Sequence, residues 1–350
     1  GSQGVYADNN GINLIMNYII SSAKRLQMKT KREKLITQFG WGENQSKFII
    51  GNTETTIDGA YYTSSLSQDT QQMADFMEPK GTFEKWKEVF DLYGRDGLEA
   101  HAFAALSAFG SPLISLVKGR SALINLLHQS SGTGKSTALY MCNSVYGHPE
   151  HLSGIPADTK NAHQHRLGTL NHLPYTMDEI TNMKPDIFSD FVYDVSQGRG
   201  KHRMTGMTNT LRNNTTFFNN IVLSSSNASF EDKLRSIKKR PEGELMRFLE
   251  YRIEPTPNYI IEINEGRRMF DVQLKENYGH AGVIYAKVLI ENLETIKNDI
   301  EQVVENLCRV CKLDGKDRFW ARICACNIVG GYWAQKSKLH SYNMAKIYKW

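Results

Sequence analysis

The segment Gln129-Ser130-Ser131-Gly132-Thr133-Gly134-Lys135-Ser136-Thr137 carries the residue types that most directly imply chemistry. Glycines let backbone N–H groups turn inward around phosphate oxygens. A helix that opens at the lysine adds the positive end of its dipole. In such a loop Lys135 reaches the β- and γ-phosphates of ATP and the Ser136 hydroxyl ligates Mg2+. Ser130, Ser131, Gly132, Thr133, Gly134 and Thr137 complete the cradle. Gln129 stands where the usual pattern has glycine. The bland alternative is a Gly/Ser turn that happens to precede lysine. The flanks argue against it, because the apolar run Ser121–Leu127 reads as a strand before the loop and a helix is expected to about Tyr146 after it.

A second constellation lies some forty residues on. Leu173–Met177 is a short apolar run that ends in Asp178-Glu179. Beside a phosphate loop, such a pair divides the work. Asp178 holds Mg2+ through its waters, and Glu179 orients and polarises the attacking water. A strand that merely ends in an acidic turn is the alternative. A third apolar run, Ile221–Ser225, leads into Ser226-Asn227. Asn227 is the candidate for a neutral amide near the γ-phosphate, although Asn also serves turns and helix N-caps.

Cationic residues supply two further candidates. Gly198-Arg199-Gly200-Lys201-His202-Arg203 has little to bury, so an exposed hairpin or loop is expected. Arg199, Lys201, His202 and Arg203 suit a nucleic-acid backbone, which binds such groups by charge and counterion release; a solvated loop is the alternative. Arg247 is placed to reach a neighbouring subunit's nucleotide and offset transition-state charge, with Arg252 the second choice. A surface arginine or structural ion pair competes with that role.

These groups must be positioned by three apolar strands separated by helical segments, a pattern that implies a mostly parallel, sandwiched sheet. The expected fold is α/β, with a core at 81–260. A small α+β region is expected at 1–80 and a helical region at 261–350. Within 1–80, Ile12–Ile20 reads as helical. Phe39–Gly42 and Lys47–Ile50 read as short strands, and Ser64–Gln72 as a loop. The basic run Lys24, Arg25, Lys29, Lys31, Arg32 and Lys34 is expected to be a solvated helix face or a nucleic-acid contact. Pro185–Ser196 and Ala281–Leu293 read as helices.

Composition sets the frame. The chain has 350 residues, 40% hydrophobic and 23% charged, enough to build a core and unlike a disordered chain. Lys+Arg 42 against Asp+Glu 37 gives +5, which permits an anionic partner. Five cysteines cannot all pair, so a reducing cytoplasm is expected. Cys308-x2-Cys311 and Cys324-x-Cys326 raise a zinc reading, but their apolar helical flanks favour buried, unligated thiols. His163, His165 and His172 lack a convincing set of metal partners. The uncharged stretch between Glu99 and Lys118 nearly has membrane-spanning length. Gly110-Ser111-Pro112 divides it, so two buried helical pieces are expected and no membrane association. Gly1-Ser2 reads as a cloning remnant, so a piece of a longer protein is expected, without a signal peptide.

Together, Phe109–Leu113, Ser130–Thr137, Asp178-Glu179 and Gly198–Lys201 resemble the helicase-like P-loop domain of phage and prophage proteins. That domain often stands behind primase or primase-polymerase modules. Phe39-Gly40-Trp41 and Asn277–Gly282 are similar to its flanking landmarks. The order of parts is also similar to superfamily III helicases of AAA+ type, in which a hairpin carrying Lys-His precedes an Asn-bearing strand. Lys201-His202, Ser226-Asn227 and Arg247-Phe248 match these features. The resemblance implies a hexameric ATPase that unwinds DNA, bound to single-stranded or forked DNA in a bacterial host's cytoplasm. The rival readings are a DNA-packaging or helicase-loading ATPase, and a nucleotide-gated scaffold that binds nucleic acid.

Overall fold

The computed structural model describes residues 8–29, 35–117, 121–199, 203–204, 211–212, 217–237, 239, 241–315 and 317–350. They fall into two compact units, 1–36 and 37–350. The first holds one helix, α1 (Asn9–Lys29). Its apolar side chains Leu14, Met16, Tyr18 and Ile19 are exposed, as are Lys24 and Arg25. Lys31, Arg32 and Lys34 lie outside the described residues.

The second unit opens with an antiparallel sheet of four short strands, β1 (Gly40–Trp41), β2 (Lys47–Ile50), β3 (Thr53–Thr56) and β4 (Gly59–Tyr62), paired in chain order. The sequence reading sets a regional boundary at 80, whereas the compact units divide between Ile36 and Thr37. Hydrogen bonds explain the difference. Phe39 N–H donates to the Thr169 carbonyl (2.8 Å), Trp41 N–H donates to His172 Nδ1 (3.1 Å), and the Trp41 indole donates to the Pro112 carbonyl (2.9 Å). Helix α2 (Gln68–Ala74) corrects the expected loop at Ser64–Gln72. The Ser67 hydroxyl accepts from Thr70 N–H (3.3 Å), so a polar run that looks like a loop is a helix cap.

Helices α3 (Phe83–Phe90) and α4 (Glu99–Gly110) follow. Residues 101–110 of α4 are buried all round. A 3-10 segment, Ser111–Leu116, takes over at the Gly-Ser-Pro break. Then come β5 (Ala122–Leu127), α5 (Lys135–Ser144), α6 (Lys160–Leu170), β6 (Tyr175–Met177), α7 (Pro185–Gln197), β7 (Arg203–Met204), β8 (Leu211–Arg212), β9 (Ile221–Ser226), α8 (Phe230–Ile237), α9 (Glu242–Leu245) and β10 (Phe248–Arg252). Strands β10, β5, β9 and β6, in that spatial order, form a wholly parallel sheet. Both faces are covered: every residue of β9, and all but the last of β5, is buried. β10 was not among the expected strands; its burial is partial because it forms the edge.

The C-terminal region is helical: α10 (Ile263–Gly266), a π-helical turn (Arg267–Gln273), α11 (Leu274–Glu276), α12 (His280–Glu291), α13 (Leu293–Val310), α14 (Arg318–Lys336) and α15 (Met344–Lys349). No helix among the described residues is long and apolar enough to cross a membrane. Cys142 and Cys326 are buried and Cys308 and Cys324 half-buried, but Cys311 is exposed at the end of α13. Of the four thiols expected to be buried, only Cys326 is; Cys308 and Cys324 are half-buried, and Cys311 is exposed because the helix ends there and its last turn faces solvent. Among the described residues no group of three or more His, Cys, Asp or Glu is arranged to hold a metal ion.

Helices α4 and α14 meet backbone to backbone at two glycines. A Cβ on Gly330 would lie 2.6 Å from the Phe109 carbonyl carbon and oxygen and 2.8 Å from Gly110 N. Main-chain atoms cannot rotate away, so Gly330→Ala forces the helices apart. The expected loss of stability is on the order of 1–3 kcal/mol, the usual cost of overpacking. Gly315→Ala, where a Cβ meets nothing within 4 Å, is the control. Equal melting temperatures for the two variants would contradict the close crossing.

Candidate nucleotide site

All four parallel strands point their carboxyl ends to one edge. Ligands of open α/β sheets bind outside that edge. Here it gathers the 128–134 loop after β5, Asp178-Glu179 after β6, Asn227 after β9, and Arg252 at the end of β10 with Glu254 just beyond it. A buried polar network holds the strand ends in register. Asn125 donates to Ser226 Oγ (2.8 Å) and Glu250 Oε2 (2.7 Å), Ser224 Oγ donates to Asn125 Oδ1 (2.9 Å), and Ser229 Oγ donates to Glu250 Oε1 (2.5 Å). Nothing in the apolar pattern of β5 reveals Asn125.

The loop turns through two left-handed glycines, Gly132 at φ 76° and Gly134 at φ 87°. A side chain at either position would be strained. Gly134 is also the N-cap of α5, so the helix begins at Lys135 as expected. His101 on α4 supports the turn from below. Its Nε2–H donates to the Thr133 carbonyl (3.0 Å), and a Cβ on Gly134 would come within 3.0 Å of the same nitrogen. Burial holds the His101 imidazole below its usual pKa, and the bond to the Thr133 carbonyl opposes that shift. Its histidine type and remote position gave no sequence signal.

Lys135 is buried, and its Nζ donates to the carbonyls of His128 (3.0 Å) and Ser130 (2.9 Å) and to Thr133 Oγ1 (3.3 Å). Burial lowers its pKa, and the charges of Glu179 and Asp178 oppose that shift. The ammonium therefore lies within electrostatic reach of both acids. Ser136 and Thr137 are half-buried, and Ser130, Ser131 and Gly132 are exposed.

The acidic pair is tied to β9. Ser225 Oγ donates to Asp178 Oδ1 (2.5 Å) and accepts from Glu179 N–H (2.9 Å), while the same N–H is 3.0 Å from Asp178 Oδ1. Glu179 adopts φ 52°, ψ 59°, a left-handed conformation that is uncommon for glutamate. Asn227 Nδ2 donates to Glu179 Oε2 (2.9 Å), and Asn227 N–H donates to Thr181 Oγ1 (2.6 Å). Asn227 Oδ1 is buried without a hydrogen-bond partner. Ser225 and Thr181 were missed in the sequence. Ser225 was within sight, because it stands in the serine run singled out for Asn227.

The arginines are placed as follows. The Arg247 guanidinium lies over the Tyr193 ring at 4.6 Å and donates to the Gly243 carbonyl. Arg252 pairs with Glu254 (2.7 Å) and stands opposite Leu127 in the β10–β5 register, one residue before the loop. His128 Nε2 is 3.6 Å from the same glutamate.

In the basic insertion, β7 and β8 pair as an antiparallel ribbon, with Arg203 opposite Arg212. Arg199 is exposed and bridges to Phe217. Lys201 and His202 lie outside the described residues. They precede β7, whereas the segment joining the two strands is 205–210.

This arrangement defines a mixed α/β chain of helicase-like fold, with a parallel sheet and a helical C-terminal region. The chain belongs to the family described as Domain of unknown function (DUF927), whose model matches residues 3–216. No curated protein matches it. Among solved structures, "SCCmec type IV Cch - active helicase" is similar at 19% identity and a TM-score of 0.69, over 98% of this chain and 66% of that one. This chain thus spans less than two thirds of that protein's length. "The A form apo structure of NrS-1 C terminal region-CTR" aligns at 13% identity over 99% of this chain and 85% of that one, with a TM-score of 0.31.

Proposed function

We propose that this chain is the ATP-hydrolysing motor of a phage-type replicative DNA helicase, of the superfamily III or AAA+ kind. The observation that carries the reading is the meeting of Lys135, Asp178, Glu179 and Asn227 at one edge of a parallel sheet. The helicase-like fold agrees with it.

The donor set fits ATP with Mg2+. Asp178 Oδ1 is taken by the Ser225 hydroxyl, which leaves its other oxygen for the metal's waters, and the Ser136 hydroxyl opens α5 beside the loop. Bound Mg2+ supplies charge neutralisation at the β- and γ-phosphates. The chain's own residues do the rest. Backbone N–H groups at 130–136 cradle the phosphates. Lys135 exchanges its loop carbonyls for phosphate oxygens. Glu179 takes a proton from the attacking water. Asn227 holds Glu179 through Nδ2 and sets a neutral amide near the γ-phosphate.

The motor is a ring, with a hexamer as the expected number, and Arg247 acts on the nucleotide of the neighbouring subunit. For that role its guanidinium leaves the Tyr193 ring; Arg252 is the second candidate. Arg199, Lys201, His202 and Arg203 contact single-stranded DNA through phosphates, with forked DNA as the substrate. A primase or primase-polymerase module is the natural upstream partner, and a bacterial host's cytoplasm the site of action.

Phosphate release with and without single-stranded DNA, and strand displacement on a fork, test the reading. The double variant Lys201→Ala, His202→Ala is expected to keep basal hydrolysis and lose stimulation by DNA. Each lost phosphate contact lowers the salt slope of binding by about 0.7 on a single strand. An unchanged slope with unchanged stimulation would remove these residues from the DNA path. Stimulation without strand displacement would favour a loading or packaging ATPase, and no hydrolysis at all a scaffold.

A further inference from the structure

Beside the loop lies a cleft of about 250 Å3 lined by Tyr93, Gly132, Gly134, Ile261, Ile263 and Phe270, with neither Asp178 nor Glu179 in its lining. We propose that this cleft receives the purine base of the nucleotide, and that Phe270 and Ile263 determine base selectivity. The inference rests on the reading of 128–137 as a phosphate-binding loop and adds the part of the ligand that the loop cannot recognise.

Three observations carry it. The first is position. Gly132 and Gly134 form one wall, so a ligand with phosphates on the loop has its remaining atoms at this cleft. No Cβ obstructs the passage, and one added at Gly132 would itself meet nothing within 4 Å. The second is size. A drug-sized ligand fills roughly 300–1,000 Å3. A smaller cleft suits one ring system rather than a whole nucleotide.

The third is the lining. Tyr93 is buried, and its ring lies 5.6 Å from that of Phe270 at 43°. Ile261 is buried in the same lining and Ile263 is 60% exposed. Phe270 sits inside the π-helical turn 267–273. Such turns are rare and occur often at functional sites, because the extra residue re-aims the side chains that follow. Two rings and two branched aliphatics make an apolar slot in which a flat base stacks. A purine buries more surface there than a pyrimidine and binds more tightly. Thr256 and Glu262 add polar groups to the lining, and the exposed Glu262 carboxylate can accept from the exocyclic amino group of adenine. The slot is also coupled to the loop, since the Tyr93 ring lies 5.4 Å from that of His101, which holds the Thr133 carbonyl.

Calorimetric titration of the whole chain with ATP, CTP and inorganic tripolyphosphate tests the proposal, on wild type, Phe270→Ala, Ile263→Ser and Lys135→Ala. Wild type is expected to bind ATP more tightly than CTP or tripolyphosphate. Phe270→Ala and Ile263→Ser should each weaken ATP by about five- to a hundredfold, the range for losing a stacking platform, and leave tripolyphosphate unchanged, because neither changes the charge of the site. Ile263 is exposed enough that its substitution does not open the core, so the test stands even if Phe270→Ala folds poorly. Equal wild-type affinity for all three ligands would overturn the base site while leaving the loop intact. So would variants that weaken tripolyphosphate as much as ATP. If wild type binds none of the three and Lys135→Ala changes nothing, the phosphate loop itself is wrong and the base site falls with it.

Discussion

Lys135→Ala is expected to lower ATP hydrolysis by about two to three orders of magnitude, the cost of removing one preorganised donor from a developing oxyanion. The argument is positional. Lys135 Nζ is held at the mouth of the loop by the His128 and Ser130 carbonyls, within the field of Asp178 and Glu179. Those acceptors are neutral, so a γ-phosphate carrying full charge outcompetes them. Alanine removes the charge and also leaves the two carbonyls without their donor, so some loosening of the loop accompanies the loss. Melting temperature measured beside phosphate release separates the two effects. Wild-type turnover in a pure, folded preparation would end the assignment of this loop to nucleotide chemistry.

The second large effect is expected at Glu179. Glu179→Gln preserves size and an acceptor oxygen for the Asn227 amide, and it removes only the charge that polarises water. Hydrolysis should fall by about 10²- to 10⁴-fold, the range for a lost general base. ATP and Mg2+ affinity should hold, because Asp178 and Ser136 are untouched. A trapped nucleotide should also hold subunits together if the site is completed in trans. The unusual φ of 52° at Glu179 sharpens the expectation. The backbone turns abruptly there, as the proposed division of labour between the two acids requires if they are to face different atoms. If Glu179→Gln instead lost nucleotide and metal binding, Asp178 and Glu179 would have to exchange roles.

Much of the candidate site is legible in the sequence for a local reason. A phosphate loop is a continuous stretch whose glycines, lysine and serine must follow one another, because backbone N–H groups of adjacent residues do the binding. The strands were legible in the same way. β5 and β9 each open on a short apolar run because both faces of a parallel sheet are covered, although β5 carries Asn125 and β9 ends in three serines, and their strand ends lead to Lys135 and Asn227 at the same edge.

What only the tertiary structure decided is who supports whom. β10 has one buried residue, three half-buried and one exposed at a sheet edge, so its sequence does not declare it a strand, yet it brings Arg252 beside the loop. Ser225 looks like any serine until the β6–β9 pairing sets its hydroxyl 2.5 Å from Asp178. His101 lies on a helix that reads as uniformly apolar, and only packing brings it under Thr133. Gly330 is one glycine in a helix until α4 crosses it. The expected loop at 64–72 became α2 because Ser67 caps it, a contact that composition does not report. Residue type and spacing determined the chemistry that a single short segment can perform. Contacts between segments far apart in the chain decided which neighbours hold those groups in place, because such contacts depend on how helices and strands pack and leave no periodic trace in the sequence.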